Sequence, residues 1–326
     1  MSGPRERGVA LITVLLVVAL ATVAAADMST RGAFDVRRTS NRIALEQAHE
    51  VALGGERWAI AVLARDRRGR SEDWKKKYIQ QSQGENVNVD SRDETWAKTL
   101  PPIPIEGGQV AGVITDAQGR FNVNDLVDAQ GAVDAVALAR FERLLRAAGL
   151  DPRLSQAVVD WIDPDSQTTY PAGAEDDYYA ALDSPYRAAN RPLAVASELR
   201  MVRGFDAQAW QALAPHVTAL PQHTSINVNT ADAMVLRAVV PDLDEASAKA
   251  LYQEAGENPF SKIGDFLQDP RVRDAHVDET DLAVRSDHFR VRVDVQLGSI
   301  DYTLYSWLQR TDNGASRVLR RARTPD

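Results

Sequence analysis

VALITVLLVVALATVAAA, from Val9 to Ala26, is the stretch that decides how this chain is organised, because it carries no charge and is apolar except for Thr13 and Thr22. A helix rises about 1.5 Å per residue, so this segment spans roughly 27 Å, close to the hydrocarbon thickness of a bilayer. The next charged residue is Asp27. We therefore expect the rest of the chain to be tethered to a membrane or released from one.

Three interpretations of this segment are open. A cleaved secretory signal fits the basic start and the alanines at 24–26, although the apolar run is longer than usual. An uncleaved signal anchor would keep the N-terminus cytoplasmic, because Arg5 and Arg7 precede the run. A leader of the type IV prepilin kind ends in a glycine, as Gly8 does, and is cut there while the helix stays on the mature protein.

The residues that follow favour the third interpretation. No proline occurs between Pro4 and Pro101, so no proline interrupts a helix that begins in the apolar run. Small and apolar side chains then recur at helical spacing: Ala44, Ala48, Val51, Ala52, Ala59, Val62 and Leu63. The sequence predicts one long helix with a membrane part at 9–26 and an amphipathic part at 27–67, behind a leader at 1–8.

Two distant stretches predict β-strands. Gln109 to Asp125 has the pattern of a hairpin, with alternating apolar residues on both sides of a turn at 116–119. His288 to Thr311 alternates over a longer distance and contains a turn at Gly298. We predict that the two stretches complete one sheet.

This sheet domain would comprise residues 68–127 and 284–312. The last segment, 313–326, contains Arg317, Arg320, Arg321 and Arg323 and is predicted to be a solvated or disordered basic tail.

Residues 128–283 show helical periodicity and would form an all-α domain inserted into the sheet domain. Helices are predicted at 132–148, 152–161, 195–201, 207–213, 231–239, 245–254 and 263–266. The fold class is therefore α+β, with a long N-terminal helix packed on an antiparallel sheet and a large helical insertion.

An acidic stretch is the most unusual part of this insertion. It contains Asp160, Asp163, Asp165, Glu175, Asp176, Asp177 and Asp183, and no Lys or Arg occurs before Arg187. A bound Ca²⁺ would relieve the repulsion by taking six to eight oxygen ligands. The spacing is not that of an EF-hand, because Thr168 and Ala174 stand where Gly and Glu are needed. A calcium site and a solvated acidic loop both remain open.

A second segment, from Ser225 to Gln268, resembles the helix-hairpin-helix (SAM-like) unit of competence DNA-uptake proteins, with its opening INVNTA. DNA-binding hairpins of this kind are rich in glycine, so that backbone N–H groups reach phosphate. Here the hairpin is Pro241 to Glu245, which has no glycine and three acidic residues. We expect a packing or protein-binding module and no nucleic-acid partner. A shorter sequence similar to this opening occurs at Phe121–Leu126.

Composition excludes several classes. The chain has 326 residues, a net charge of −8 and no cysteine, which argues against nucleic acid as the main partner and excludes disulfides and thiolate chemistry. The five histidines are scattered without metal-ligand spacing. There is no nucleophile elbow, phosphate-binding loop or dinucleotide fingerprint, so we expect no enzyme.

Taken together, these motifs resemble those of the minor pseudopilin K family of type II secretion systems, also called general secretion pathway protein K. The resemblance covers nearly the whole chain. It is carried by Arg7–Leu20, Ala52–Glu56, Gly119–Asn124, Trp161–Asp163, Gly173–Asp176, Tyr186–Pro192, Glu198–Arg200 and Ile226–Ala231.

The resemblance implies that a prepilin peptidase cuts between Gly8 and Val9 and methylates the new amine. It implies a single-pass inner-membrane protein with a periplasmic folded domain, which works with the inner-membrane assembly platform and joins minor pseudopilins I and J at the pseudopilus tip. Thr13 stands where most pseudopilins carry glutamate, and a subunit without that buried charge would suit the filament end.

The resemblance also implies calcium in the helical insertion, as one or two structural ions. The expected ligands are Asp163, Asp165, Glu175, Asp176 and Asp177. The alternative function is a membrane-anchored periplasmic binding module that uses its helix-hairpin-helix unit to hold DNA or protein.

Overall fold

The structure is a computed structural model that describes residues 4–68, 89–99, 101–221, 223–311 and 315–325. The start of the predicted leader, residues 1–3, and the residues 69–88 after the long helix lie outside the described part of the chain.

The N-terminal helix α1 runs without interruption from Pro4 to Arg68. Its side chains are exposed from Leu11 to Ile43, and from Ala48 onward one face is buried against the sheet. Gly55 allows this contact to be close, because a Cβ at that position would lie 2.7 Å from Val293 Cγ1. The predicted long helix is confirmed.

The sheet has five strands in the order β1-β2-β7-β8-β9. The strands are β1 (Ile103–Ile105), β2 (Gly108–Asp116), β7 (His288–Leu297), β8 (Ile300–Arg310) and β9 (Ser316–Ala322). All neighbouring pairs are antiparallel, and β2 pairs with β7 over its full length, with Val110 opposite Val295. The predicted joining of the two distant stretches into one sheet is confirmed. Apolar side chains of α1, β7 and β8 form its core.

Two predictions for this region are wrong. Residues 109–125 do not form a hairpin, because the chain leaves the sheet after Asp116 and Phe121–Asn122 becomes the short strand β3 in the helical domain. For the basic tail, the alternative of a disordered segment is wrong, since most of its described part is the edge strand β9, while Arg317, Arg321 and Arg323 are exposed. Arg321 pairs with buried Glu56 on α1 at 2.7 Å, and Arg320 stacks on Trp307. A buried carboxylate on α1 and the ring of Trp307 give these arginines partners that the linear sequence does not show.

The residues between β2 and β7 form the inserted helical domain with its own hydrophobic core. Its α-helices are α2 (Ala135–Ala147), α3 (Leu154–Ile162), α4 (Asp176–Ala180), α5 (Ala207–Leu213), α6 (Ala233–Val239), α7 (Glu245–Glu257) and α8 (Ile263–Leu267). Its short strands are β3 (Phe121–Asn122), β4 (Val217–Thr218), β5 (Ile226–Asn227) and β6 (Leu282–Ala283). Short 3₁₀ helices cover Thr95–Ala97, Val123–Leu126 and Ala196–Met201. The predicted α+β fold with a helical insertion is confirmed.

Two parts of the helical domain are built alike. In each, a two-residue strand pairs in parallel with a strand at the end of the unit, β3 with β4 and β5 with β6. Each first strand contains a buried asparagine whose side-chain oxygen accepts the N–H two residues later: Asn122 does so for Asn124, and Asn227 for Asn229. We call residues 121–218 the first unit and residues 226–283 the second unit.

The helical domain is fixed to the sheet by a buried polar network. Asp116, at the end of β2, accepts hydrogen bonds from the side chains of Ser286, Thr230 and Asn227 at 2.6 to 3.0 Å. Burial raises the pKa of Asp116 to about 6. Arg310 of β8 reaches Asp66, near the end of α1, at 3.0 Å. The helical domain therefore lies at the end of α1 that is far from the apolar segment.

Candidate metal centre

The acidic loop, residues 163–175, follows directly after α3. This helix is apolar on its inner side, and Trp161 packs edge-on against Tyr179 of α4, with ring centroids 5.1 Å apart. Because the two ends of the loop are held by this aromatic contact, Asp163 and Glu175 lie at its base, and both are largely buried.

Three of the predicted ligands converge. Asp163, Asp165 and Glu175 each offer a carboxylate oxygen, and these oxygens all lie within 4.8 Å of one another. Asp163 Oδ1 and both carboxylate oxygens of Glu175 are buried without a hydrogen-bond partner. None of the three carboxylates has an ion pair within the described residues. Buried carboxylate oxygens without a partner are costly, so this group is a candidate cation site.

The electrostatics agree with this geometry. Burial raises the pKa of Asp163 to about 6, and the charges of Asp165 and Asp160 add to the effect. Burial and four neighbouring carboxylates raise the pKa of Glu175 to about 7. The carboxylates therefore disfavour one another's charged state, and a bound cation would reverse that preference.

Asp160 shapes the loop without belonging to the group of three. Its side chain is fully buried, and its two oxygens accept the N–H of Thr169 at 3.1 and 3.0 Å. Gly173 leaves room for this carboxylate, since a Cβ there would collide with Asp160 Oδ2. Arg203 donates to the carbonyl of Gly173 at 2.9 Å. These contacts fold the loop back, so that Glu175 returns to Asp163.

The other two predicted ligands lie elsewhere. Asp176 begins α4, where its Oδ1 accepts the N–H of Ala188 at 2.9 Å, and Asp177 is exposed on the same turn. Neither belongs to the three-carboxylate group.

Sequence reasoning missed Asn190. Its Nδ2 donates to the carbonyl of Asp165 at 2.7 Å, while its Oδ1 is buried and has no partner within the described part of the chain. Its backbone is left-handed, with φ 46°, a conformation that asparagine tolerates better than most residues. An asparagine just before Arg191–Pro192 was the available signal, but its proximity to Asp165 depends on the tertiary fold.

A second carboxylate group has its charge compensated by the protein itself. Asp66, Asp90 and Glu94 also converge. There, the buried guanidinium of Arg310 lies 3.0 Å from Asp66 and 2.5 Å from Asp90. This group already contains its cation, so it is not a candidate metal centre.

The acidic loop offers only oxygen ligands. Carboxylate and amide oxygens suit hard cations such as Ca²⁺ and Mg²⁺, whereas zinc and copper favour nitrogen and sulfur. Ca²⁺ accepts irregular coordination by loop residues, while Mg²⁺ demands near-octahedral geometry. The residues present therefore fit calcium.

At the other end of the chain, Gly8 and Val9 lie within α1, and Thr13 is exposed on the same helix. Among the described residues, α1 is the one helix long and apolar enough to cross a membrane. Its apolar window is not buried by the rest of the chain, so the helix is a candidate membrane anchor.

Comparison with known proteins explains this combination. The family described as type II secretion system (T2SS), protein K, matches in two parts, at residues 119–222 and 226–285. Type II secretion system protein K of Pseudomonas aeruginosa is 36% identical over 97% of this chain and 92% of its own length. This chain belongs to the type II secretion system protein K family.

Other members of the protein K family agree. The protein of Klebsiella pneumoniae is 33% identical over 97% of this chain and 96% of its own length. A chain in the crystal structure of the GspK-GspI-GspJ complex from enterotoxigenic Escherichia coli superimposes with a TM-score of 0.72 at 27% identity. The match covers 89% of this chain and 100% of that chain. The family resemblance seen in the sequence is confirmed, and the two family matches coincide with the two similar units.

Proposed function

We propose that this protein is a minor pseudopilin that caps the pseudopilus tip together with minor pseudopilins I and J. The observation that carries the proposal is the position of the helical domain. It is inserted between β2 and β7 and lies at the end of α1 opposite the apolar segment. A subunit added above this one would meet the helical domain before it met the sheet.

The N-terminal segment supports an assembly role. We propose that prepilin peptidase cuts between Gly8 and Val9 and methylates the new N-terminus, and that the assembly platform of the inner membrane then receives the helix. Thr13 cannot offer the carboxylate that would pair with a neighbouring N-terminus. The folded domain would stand in the periplasm.

The test is expression of the full chain with its minor pseudopilins I and J and the peptidase. We expect a mature mass that begins at a methylated Val9, and co-purification of the three proteins in detergent. A Gly8→Val variant should keep its leader and its fold. An N-terminus at Met1 or Asp27, or a chain that purifies without both partners, would contradict the proposal.

We further propose that the acidic loop binds Ca²⁺ through Asp163, Asp165 and Glu175, with Asn190 Oδ1 as an added ligand. The support is the group of buried oxygens without partners. When bound, the ion supplies the positive charge that these oxygens lack. The conformation of the loop and the packing of α4 would then depend on calcium.

Calcium titration of the mature protein tests this proposal. Binding should raise the melting temperature, because a ligand of the native state stabilises it by mass action. Glu175→Gln should weaken calcium affinity by about tenfold or more, since it removes a charged ligand. Asp177→Asn is the matched control, as its side chain is exposed on α4, and it should change affinity less than about twofold. If calcium does not change the melting temperature of the unmodified protein, the proposal is contradicted.

A further inference from the structure

The exposed part of α1 between the apolar segment and the sheet carries a stripe that no other described element covers. It consists of Phe34, Arg37, Arg38, Asn41, Arg42 and Leu45, which line one shallow groove. Their spacing of three and four residues places them on one side of the helix. We call this stripe the arginine seam.

The arginine seam continues the face that holds the sheet. Ala48, Ala52 and Ala59 follow Asn41 and Leu45 at intervals of three, four and seven residues, and these alanines are fully buried against the sheet. On the N-terminal side of Ala48 the helix no longer packs against the sheet. This face of α1 therefore has no partner there among the described residues. Phe34 is 64% exposed and Leu45 is 36% exposed, although both are apolar.

The charges in the seam are unbalanced. Within the described residues, Arg37, Arg38 and Arg42 form no ion pair, whereas Arg31 is paired with Asp27 at 2.7 Å. The chain as a whole carries a net charge of −8, so three unpaired arginines on one helix stand out. A surface of this kind fits an acidic partner.

Two acidic partners are conceivable, and the height of the seam separates them. A helix rises about 1.5 Å per residue, so Arg37 lies roughly 16 Å and Arg42 roughly 24 Å beyond Ala26, where the apolar segment ends. The field of anionic lipid headgroups falls off within a Debye length, about 8 Å at physiological salt. Lipid would therefore act on Arg31 and hardly on Arg42. A protein partner at this height is favoured.

We propose that the arginine seam is the docking surface for an acidic helix of a neighbouring pseudopilin. Phe34 and Leu45 can pack against a neighbouring helix, while the arginines between them attract its carboxylates. The partner helix would place carboxylates opposite Arg38 and Arg42. This inference rests on the proposed function, because it requires a partner anchored beside α1 in the membrane.

The experiment compares two double charge reversals in the full chain, with binding measured to purified minor pseudopilins I and J in detergent. Arg38→Glu with Arg42→Glu should weaken the complex by about tenfold or more and abolish its dependence on salt. Arg57→Glu with Arg65→Glu reverses two exposed arginines on the opposite side of the same helix. That control should change affinity less than about threefold.

The outcomes are distinct. Equal affinity of the seam variant and the unmodified chain overturns the seam while leaving the proposed function intact. Equal weakening by both double variants also overturns it, since the effect would then come from the net charge of the chain and not from the position of the seam. Failure of the unmodified chain to bind either partner removes the proposed function and the seam with it. Loss of binding to phosphatidylglycerol vesicles, with the protein complex retained, assigns the seam to lipid and overturns the proposal.

Discussion

The first and second units of the helical domain close with the same contact but differ in the connection that leads to it. In the first, Asn124 donates to and accepts from the backbone of Leu193 at 3.0 and 2.8 Å. In the second, Asn229 does the same to Phe260 at 3.0 and 2.8 Å. Both partners follow a proline, and all these asparagines are buried. We call this two-sided contact the asparagine clamp.

The connection before the clamp distinguishes the units. In the second unit α7 ends at Glu257, and Phe260 follows almost at once. In the first unit α3 ends at Ile162, and Leu193 is reached only after the acidic loop and α4. The second unit shows that the clamp closes without an acidic loop before it. The acidic loop is thus an addition to a unit that can be built without it, and its buried carboxylates are the ones for which we propose a cation.

The largest test of this difference is calcium removal. At a thousandfold excess over Kd, calcium should stabilise the protein by about 4 kcal/mol, and a chelator should remove that stabilisation. Hydrogen exchange should then quicken at residues 163–190 and at α3, while amides of the second unit keep their protection. Equal loss of protection in both units would show that calcium does not act through the first unit alone.

The asparagine clamps should be of similar strength. Asn124→Ala removes the partner of the buried Leu193 N–H and of the Leu193 and Leu220 carbonyls, and Asn229→Ala that of the half-buried Phe260 N–H and C=O, so each should lower the free energy of unfolding by about 2 kcal/mol. Urea denaturation at saturating calcium measures both. Asn258→Ala, at an exposed position after α7, is the control and should cost less than about 0.5 kcal/mol. A large effect at only one clamp would end the equivalence of the units.

The first unit should also respond to pH. Burial holds the pKa of Asp163 at about 6 and that of Glu175 at about 7, above their unfolded values. Without calcium, the stability that these protonated groups contribute is present below about pH 4 and is lost as pH rises through 7. With calcium the trend reverses, since protons compete for the ligands, and affinity should fall about tenfold or more from pH 7 to pH 5.

Melting curves in chelator and in calcium at pH 5, 6 and 7.5 check both trends. The loss caused by Asn229→Ala should stay constant across the series, because no carboxylate of the acidic loop touches that clamp. A calcium affinity that does not change with pH would contradict the assignment of Asp163 and Glu175 as ligands.

The smallest expected effect concerns Asn190. Asn190→Gly removes the side-chain oxygen but keeps a residue that adopts φ 46° easily, so it tests the ligand without backbone strain. Calcium affinity should fall by roughly threefold to tenfold, as for a neutral ligand, measured by calorimetry. An unchanged affinity would restrict the site to carboxylates, backbone and water.

Sequence reasoning succeeded where a pattern is local. The apolar run of α1, its amphipathic continuation and most helix positions of the insertion follow from periodicity and agree with the structure, whereas α4 was not predicted and residues 196–201 form a 3₁₀ helix. It failed where partners come from far away. The alternation at 109–125 predicts a hairpin, but β2 pairs with β7 and β3 pairs with β4, and both partner strands lie far away in the chain.

The candidate site divides in the same way. The sequence by itself determined that this region is acidic, oxygen-rich and without a compensating Lys or Arg. Only the tertiary structure decided which oxygens meet. Trp161 and Tyr179 hold the loop ends together, so the three carboxylates of Asp163, Asp165 and Glu175 converge. Asp176 instead accepts a hydrogen bond from the backbone N–H of Ala188. Composition fixes the charge of a segment, but convergence depends on contacts between residues distant in the chain.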